Sequence, residues 1–167
     1  RGILWAVKRE EMKMAKPKNE SFDLNSKPKP KSAGGKKNAK NSVPRNAATG
    51  KKVTANSEES NKGNLAKHAV DGDPTTRWCA ANSAPGSWLQ VDLGQAQDIQ
   101  NVRLIWEKAN GAYQYRIEGS ADAKDWKLLV DQSKNKEVRQ VTPHKVNAKN
   151  TRYFKITYLG AKPAYWG

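Results

Sequence analysis

Short segments in which apolar and polar residues alternate recur through the C-terminal two thirds of the chain. In one such segment Leu89, Val91 and Leu93 fall on one face of a strand, while Gln90 and Asp92 fall on the other. The same spacing recurs at Val102, Leu104 and Trp106, at Tyr113, Tyr115 and Ile117, and at Phe154, Ile156 and Tyr158. About seven short strands separated by turn residues, without a long helical pattern, are typical of a sandwich. We therefore predict an all-β fold, an antiparallel jelly-roll β-sandwich that begins near residue 48.

Large apolar side chains outside these segments are expected to complete the core. Tryptophan buries a large apolar surface when it packs inside a domain, so we assign Trp78, Trp88 and Trp126 to the core. The stretch from Leu65 to Val70 predicts a short helical turn whose two end residues face inward.

Positive charge is concentrated at the front of the chain. Residues 1–52 hold 15 Lys and Arg against 4 Asp and Glu, whereas residues 53–167 hold 16 against 12, which gives the net charge of +15. Residues 15–47 are rich in Lys, Pro, Asn, Ser and Gly, with too little apolar surface to offset the entropy of ordering. We predict a flexible, basic, Lys/Pro-rich linker. A tail that binds nucleic acid is the alternative, but few aromatic residues stand among the lysines to stack on bases.

A tight turn at Asp71–Trp78, with the sequence Asp-Gly-Asp-Pro-Thr-Thr-Arg-Trp, gathers several oxygen atoms. Asp71, Asp73 and Thr76 offer two carboxylates and a hydroxyl, and backbone carbonyls, among them that of His68, would complete part of the shell. Calcium takes about six to eight oxygen ligands and accepts carbonyls. These residues predict one structural calcium ion. The alternative is an ordinary turn, because Asp-Gly and Asp-Pro are common turn dipeptides.

Four sequence blocks follow one another in a characteristic order. They are Asp71–Trp78, Ser87–Gly94 (Ser-Trp-Leu-Gln-Val-Asp-Leu-Gly), Tyr115–Trp126 with its Tyr-Arg-Ile-Glu-Gly-Ser-Ala-Asp start, and Thr151–Ile156 (Thr-Arg-Tyr-Phe-Lys-Ile). In this order they resemble the discoidin (coagulation factor V/VIII C-type) domains, and especially carbohydrate-binding module family 32. The resemblance covers residues 48–167 and implies a galactose-binding-domain-like sandwich. Family members usually continue after a Trp placed like Trp166 with a final strand, whose acid commonly completes the calcium site. We therefore expect a domain truncated before its last strand.

Sugar binding requires an aromatic ring face and side chains that bond to hydroxyls. In galactose-binding relatives a His follows the Trp of the calcium motif and an Arg ends a later strand. Here Cys79 and Trp106 stand near those places, so galactose specificity is not expected. Trp106 either stacks on a sugar or belongs to the core. The candidate carbohydrate-binding residues are Trp106, Glu107, Asn110, Tyr113, Glu58, Asn82 and Trp166.

The sequence lacks the motifs of the common catalytic sites. It has no Gly-x-Ser-x-Gly elbow and no phosphate-binding Gly-rich loop, and His68 and His144 lie far apart. The single cysteine, Cys79, excludes an intrachain disulfide, and no apolar run approaches the roughly 20 residues of a membrane span. We therefore predict a domain that is not an enzyme.

The predicted function is that of a non-catalytic carbohydrate-binding module. It would tether a larger, exported protein to a glycan or polysaccharide, with a secreted, periplasmic or cell-surface location. Its partners would be the glycan and an upstream domain of the same polypeptide. The alternative is a discoidin domain for protein or membrane adhesion, and nucleic-acid binding through the basic front segment is a third hypothesis.

The first residues carry a separate signal. Residues 1–8, Arg-Gly-Ile-Leu-Trp-Ala-Val-Lys, resemble the last helix of a ThuA-like (trehalose-utilisation type) domain, and a chance apolar stretch is the alternative. We interpret residues 1–14 as the tail of a preceding domain and expect them to begin as a helix.

Overall fold

The computed structural model describes the backbone of residues 5–8 and all of residues 46–165. These residues form six β-strands and two short 3-10 helices. The strands are β1 (Trp5–Lys8), β2 (Lys52–Ala55), β3 (Trp88–Ile105), β4 (Ala112–Ser120), β5 (Lys127–Asp131) and β6 (Val141–Lys162), and the 3-10 helices are Ser60–Lys62 and Ala66–Ala69. The predicted linker, residues 15–47, lies almost entirely outside the described residues, and so does Trp166.

The long strands β3 and β6 are the frame of the domain. They pair antiparallel from Trp88 to Ile105, and the register shifts between Asp92 and Asn101. The strand order is β1-β3-β6-β4-β5, and β2 also pairs with β3. Register shifts of the kind seen in β3 are typical of β-bulges, which bend a strand and increase its twist. The two halves of β3 therefore pair with different edge strands, β2 and β1. The fold is an all-β antiparallel sandwich, which confirms the prediction, and residues 85–160 contain no α-helix.

Strand β1 corrects the expectation of a helix at the front of the chain. Trp5–Lys8 is extended and pairs antiparallel with β3, with Trp5 opposite Arg103 and Ala6 opposite Val102. A short apolar helix gains little without a partner surface. An extended segment instead satisfies backbone groups along the free edge of β3, whose other edge is taken by β6.

Alternation along the strands builds the core as predicted. Leu89, Val91 and Leu93 are each at most 4% exposed, whereas Gln90 and Asp92 between them remain half-buried. The 3-10 helix Ala66–Ala69 confirms the predicted helical turn. The largest fully buried side chains are Tyr115, Phe154, Leu93, Ile99, Ile117, Val70, Val91 and Val102.

The tryptophans are distributed differently from the prediction. Trp78 is half-buried and packs against the core, and its indole N–H donates to the carbonyl of Ser57 at 3.0 Å. Trp88 and Trp126 lie outside the buried core. Trp88 alternates with buried Leu89 and therefore faces the outer side of the sheet. The ring of Trp126 lies 4.2 Å below the ammonium of Lys155. For Trp88, the phase of the strand rather than the size of the side chain determines the position.

Candidate functional site

The turn at Asp71–Trp78 is held by its own side chains. One carboxylate oxygen of Asp71 accepts from the N–H of Asp73 at 2.9 Å, and the other accepts from the hydroxyl of Thr76 at 2.7 Å. The Thr76 hydroxyl also lies 3.1 Å from the carbonyl of Asp73. The structure thus brings the three predicted metal ligands together within one exposed turn.

The donor set of this turn fits a hard cation. Hydrogen bonds from Thr75 hold the pKa of Asp73 below its usual range, so its carboxylate is charged at neutral pH. His68 lies on the 3-10 helix just before the turn. Among residues 46–165 no three His, Cys, Asp or Glu side chains cluster around a common point. An ion here would therefore depend on the Thr76 hydroxyl and backbone carbonyls besides the two carboxylates.

We call the turn at Asp71–Trp78 the Asp turn. The loop that follows β2 is hydrogen-bonded to the segment that follows the Asp turn, and the two segments form one layer. The N–H of Glu59 donates to the carbonyl of Cys79 at 2.9 Å, and the N–H of Cys79 donates to the carbonyl of Asn64 at 3.2 Å. Glu59 itself is 7% exposed. Its carboxylate is held by Lys62 at 2.7 Å and by Asn64 at 2.6 Å, which lower its pKa. This layer fixes the backbone from which Arg77 projects.

Arg77 connects this layer to the end of β3. Its Nε donates to the sulfur of Cys79 at 3.4 Å, and its Nη2 lies 3.7 Å from Oε1 of Glu107. The ammonium of Lys108 lies 3.2 Å from the same oxygen. The side chains of Arg77 and Glu107 are each 32% exposed, so the carboxylate lies between two cations and still reaches solvent. Burial raises the pKa of the Cys79 thiol, which marks this cysteine as an anchor rather than a nucleophile.

Behind Glu107 lies a cluster of aromatic rings. Trp106 stacks on Tyr113 with a centroid distance of 4.3 Å and an angle of 7°, and it also contacts Tyr115 at 4.9 Å. Tyr113 is 2% exposed, and burial raises its pKa to about 12. Tyr113 is therefore a core residue, which corrects its assignment as a sugar ligand. One ring face of Trp106 is covered by Tyr113, so Trp106 is largely a packing residue.

Tyr165 supplies a more accessible ring at the edge of this cluster. Its ring centroid lies 6.2 Å from that of Tyr113, and the residue is half-buried. The hydroxyl of Tyr165 donates to the side-chain oxygen of Asn110 at 3.0 Å. Gly111 is required between the two rings, because a Cβ there would come within 2.8 Å of Tyr113 and 3.0 Å of Tyr165. We call Arg77, Glu107, Lys108, Asn110 and Tyr165 the candidate binding surface.

Glu58 and Asn82, two of the other residues predicted to bind sugar, form local hydrogen bonds instead. The carboxylate of Glu58 accepts from the N–H of Ala66 at 2.8 Å, so it caps a short helix in the neighbouring loop. Asn82 is exposed and closes a local turn by accepting from the N–H of Ala84 at 2.9 Å. Arg77 and Lys108 were not predicted from the sequence, and no local pattern around them indicates a site. Tyr165 was indicated, since it adjoins the predicted Trp166.

The sequence model of the F5/8 type C domain matches residues 52–167. The chain belongs to the F5/8 type C family. No curated protein is significantly similar to it. Within the described residues, no helix is both long and apolar enough to cross a membrane.

Solved structures similar to this F5/8 type C domain include carbohydrate-binding modules. Chitosan-binding module 1 of a chitosanase/glucanase from Paenibacillus sp. IK-5 is 28% identical, with a TM-score of 0.64 over 73% of this chain and 92% of that chain. Module 2 of the same enzyme, solved with chitotriose, is 25% identical, with a TM-score of 0.61 over 73% and 92% of the two chains. The module CpGH89CBM32-4 of Clostridium perfringens, in complex with GlcNAc-α-1,4-galactose, is 21% identical, with a TM-score of 0.64 over 74% and 88%, and this likeness concerns the fold alone.

Proposed function

We propose that this domain is a carbohydrate-binding module whose candidate binding surface recognises a glycan that carries amino groups, as glucosamine polymers do. The single observation that carries this proposal is the position of Glu107. Its carboxylate is partly exposed and is fixed by Arg77 and Lys108 beside it. A carboxylate held in place at the surface binds a sugar ammonium through a charge-assisted hydrogen bond.

The neighbours of Glu107 supply the other contacts that a sugar ring needs. The ring of Tyr165 offers an aromatic face for the apolar side of a pyranose, and its bond to Asn110 orients it. Arg77 and Asn110 can bond to hydroxyl groups. Two structural neighbours that bind chitosan, at 28% and 25% identity, support the choice of an amino sugar.

The two cations of the surface favour a second candidate. Arg77 and Lys108 could instead bind the carboxylate of a uronic acid, with Glu107 acting only to position them. The two candidate glycans carry opposite charges, and the net charge of the chain allows a test that separates them. Its net charge of +15 repels polycations and attracts polyanions. Retention on chitosan must therefore come from a specific site, whereas retention on alginate can come from bulk charge.

The test measures retention of the whole chain on immobilised chitosan, alginate and a neutral glucan, at about 0.15 M and about 1 M salt, where screening differs strongly. The proposal predicts retention on chitosan at both salt concentrations and elution by free glucosamine. It predicts that retention on alginate disappears at the higher concentration. Retention on alginate that survives high salt, together with no retention on chitosan, would favour the uronic acid and contradict the amino-sugar proposal.

The wider role that we infer is tethering without catalysis. A module of this kind raises the local concentration of an attached protein at its glycan, for which weak affinity is sufficient. Its partners would be the glycan and an upstream domain of the same polypeptide, in an exported protein. We also infer that the turn at Asp71–Trp78 holds one calcium ion through Asp71, Asp73, Thr76 and carbonyls that include that of His68. The ion would fix the turn from which Arg77 projects.

Membrane adhesion, the alternative role, requires apolar side chains at loop tips. The large hydrophobic side chains that are exposed within residues 46–165 are Leu128, Val138 and Val141. None of them lies in the loops 57–64 and 82–86 beside the Asp turn. This placement favours the glycan over a lipid surface as the ligand.

A further inference from the structure

A cleft lies beside the candidate binding surface, between β6 and the segment that joins β5 to it. It has a volume of about 170 Å³. Its lining is rich in hydrogen-bonding side chains and consists of Tyr115, Gln132, Asn135, Glu137, Arg139, Thr142, Pro143 and His144. Sites for drug-sized ligands have volumes of roughly 300–1,000 Å³, so this cleft suits one sugar ring rather than a whole oligosaccharide.

The wall of the cleft is fixed before any ligand binds. Asn135 donates to the carbonyl of Tyr113 at 2.9 Å and accepts from the N–H of Glu137 at 3.0 Å. The N–H of Gln132 donates to the carbonyl of Tyr115 at 2.9 Å. A wall anchored in this way loses little conformational entropy on binding.

Several polar groups remain for a ligand in the cleft. The side-chain amide of Gln132 and one ring nitrogen of His144 have no hydrogen-bond partner among residues 46–165. The other ring nitrogen of His144 lies 2.7 Å from the hydroxyl of buried Tyr115. Arg139 and Glu137 form an exposed ion pair at 3.0 Å, and both can also bond to hydroxyls. The amide, imidazole, guanidinium and carboxylate groups around this small cleft can bond to the hydroxyl groups of a saccharide.

Three hydrogen bonds link the cleft to the candidate binding surface. The side-chain amide of Gln140 donates to the carbonyl of Glu107 at 3.3 Å, and the N–H of Trp106 donates to the carbonyl of Gln140 at 2.8 Å. The indole N–H of Trp106 donates to the hydroxyl of Thr142, a lining residue, at 3.2 Å. The cleft therefore lies close to the backbone of Glu107.

We propose that this cleft is a second carbohydrate subsite, which binds the sugar unit next to the one held at Glu107. The inference rests on the proposed function, because it places a longer glycan across both features. It makes the domain selective for oligosaccharides over monosaccharides. The cleft supplies hydroxyl contacts, whereas Glu107 supplies the charge contact.

The test compares glucosamine with chitotriose by titration calorimetry on the whole chain. We expect chitotriose to bind at least several-fold more tightly than glucosamine. In the double variant Gln132→Ala/Arg139→Ala, binding of chitotriose should weaken about tenfold, as expected for hydrogen bonds that involve a charged group, while binding of glucosamine stays unchanged. Arg116→Ala is the matched control, because Arg116 is also an exposed arginine in an ion pair, with Asp131 at 3.5 Å, but lies outside the cleft lining. It should bind both sugars like the wild type.

Three other results would overturn the inference, and the last of them is distinguishable from the first two. If the wild type binds the two sugars equally, or the double variant binds chitotriose like the wild type, the subsite is wrong while the site at Glu107 stands. If the wild type binds neither sugar, the proposed function fails and the subsite fails with it. Melting curves of both variants verify that the fold is intact.

Discussion

The guanidinium of Arg77 lies 3.7 Å from the carboxylate of Glu107 and joins the Asp turn to the residues that follow β3. The same side chain bonds to the buried sulfur of Cys79, and this bond is the main reason why its pKa is raised. Arg77 is thus held at two points, and it orients the carboxylate that we assign to the glycan.

We predict that Arg77→Lys weakens glycan binding although the charge is retained. A lysine ammonium is a compact donor and does not reproduce the planar fork that reaches Cys79 and Glu107 together. Chitotriose affinity, measured by calorimetry, should fall several-fold, while the melting temperature changes little because exposed ion pairs contribute at most about 1 kcal/mol. Arg116→Lys, in an exposed pair elsewhere, is the control. Unchanged affinity in Arg77→Lys would show that Arg77 has no part in orienting the site.

Trp106 is predicted to act mainly through packing. Trp106→Ala removes the partner of Tyr113 in the stack and leaves a cavity beside Tyr115, so the free energy of unfolding should fall by about 2–4 kcal/mol. Trp106→Phe keeps a ring in the stack and should cost less. Chemical denaturation of both variants measures this order. A Trp106→Ala variant of normal stability that fails to bind glycan would instead identify Trp106 as a sugar platform.

The Asp turn is predicted to bind calcium and thereby to stabilise the fold. An ion that binds only the folded chain adds about 2.7 kcal/mol when its concentration is a hundredfold above Kd. Added calcium should raise the melting temperature by several degrees relative to chelator, and Asp73→Ala should abolish the difference. Asp125→Ala, at an exposed aspartate in another turn, should retain it. Identical melting curves of the wild type with calcium and with chelator would mean that the residues form only a turn.

The stability of the domain is predicted to depend on His144 in mildly acidic solution. Burial lowers the pKa of His144 below its ordinary value. As the pH falls through about 6.5, the unfolded chain therefore binds a proton more readily than the folded chain, and the free energy of unfolding decreases. Above that pH the imidazole is neutral in both states and this effect disappears.

The measurement is the melting temperature between about pH 7.5 and pH 5.5, a window above the range in which ordinary carboxylates titrate. The wild type should lose stability across this window, and His144→Gln should lose less. Equal losses in the two proteins would show that His144 does not control the acid response. The lowered pKa values of Asp92 and Asp98 act only in stronger acid.

The sequence predicted the positions of residues correctly where a single physical rule determines them. Alternation placed Leu89, Val91 and Leu93 in the core, because a strand with one buried face admits a single phase. The same rule places Trp88 on the outer face, and the assignment by side-chain size was wrong for that reason. The hydrogen bonds of the Asp turn are local, since Asp71, Asp73 and Thr76 lie within a few residues of one another, and the calcium ion stays a prediction.

Contacts between distant segments could not be predicted in this way. Nothing in the sequence around Arg77 indicates that it meets Glu107, because that contact depends on how two loops meet at one end of the sandwich. Tyr113 and Tyr165 are both tyrosines near polar turns, yet one is buried and the other is partly accessible. The strand β1 likewise depends on the free edge of β3, which no local pattern reveals.

The most direct test of the account is the affinity of Glu107→Gln for chitotriose, measured by titration calorimetry on the whole chain. The substitution keeps the shape of the side chain and removes only its charge, so binding should weaken between about tenfold and a hundredfold. The melting temperature should remain that of the wild type. Glu118→Gln is the matched control, since Glu118 is also a partly exposed glutamate paired with a lysine, Lys155, at 3.1 Å. We expect loss of binding in Glu107→Gln alone, and wild-type affinity in that variant would show that Glu107 does not hold the glycan.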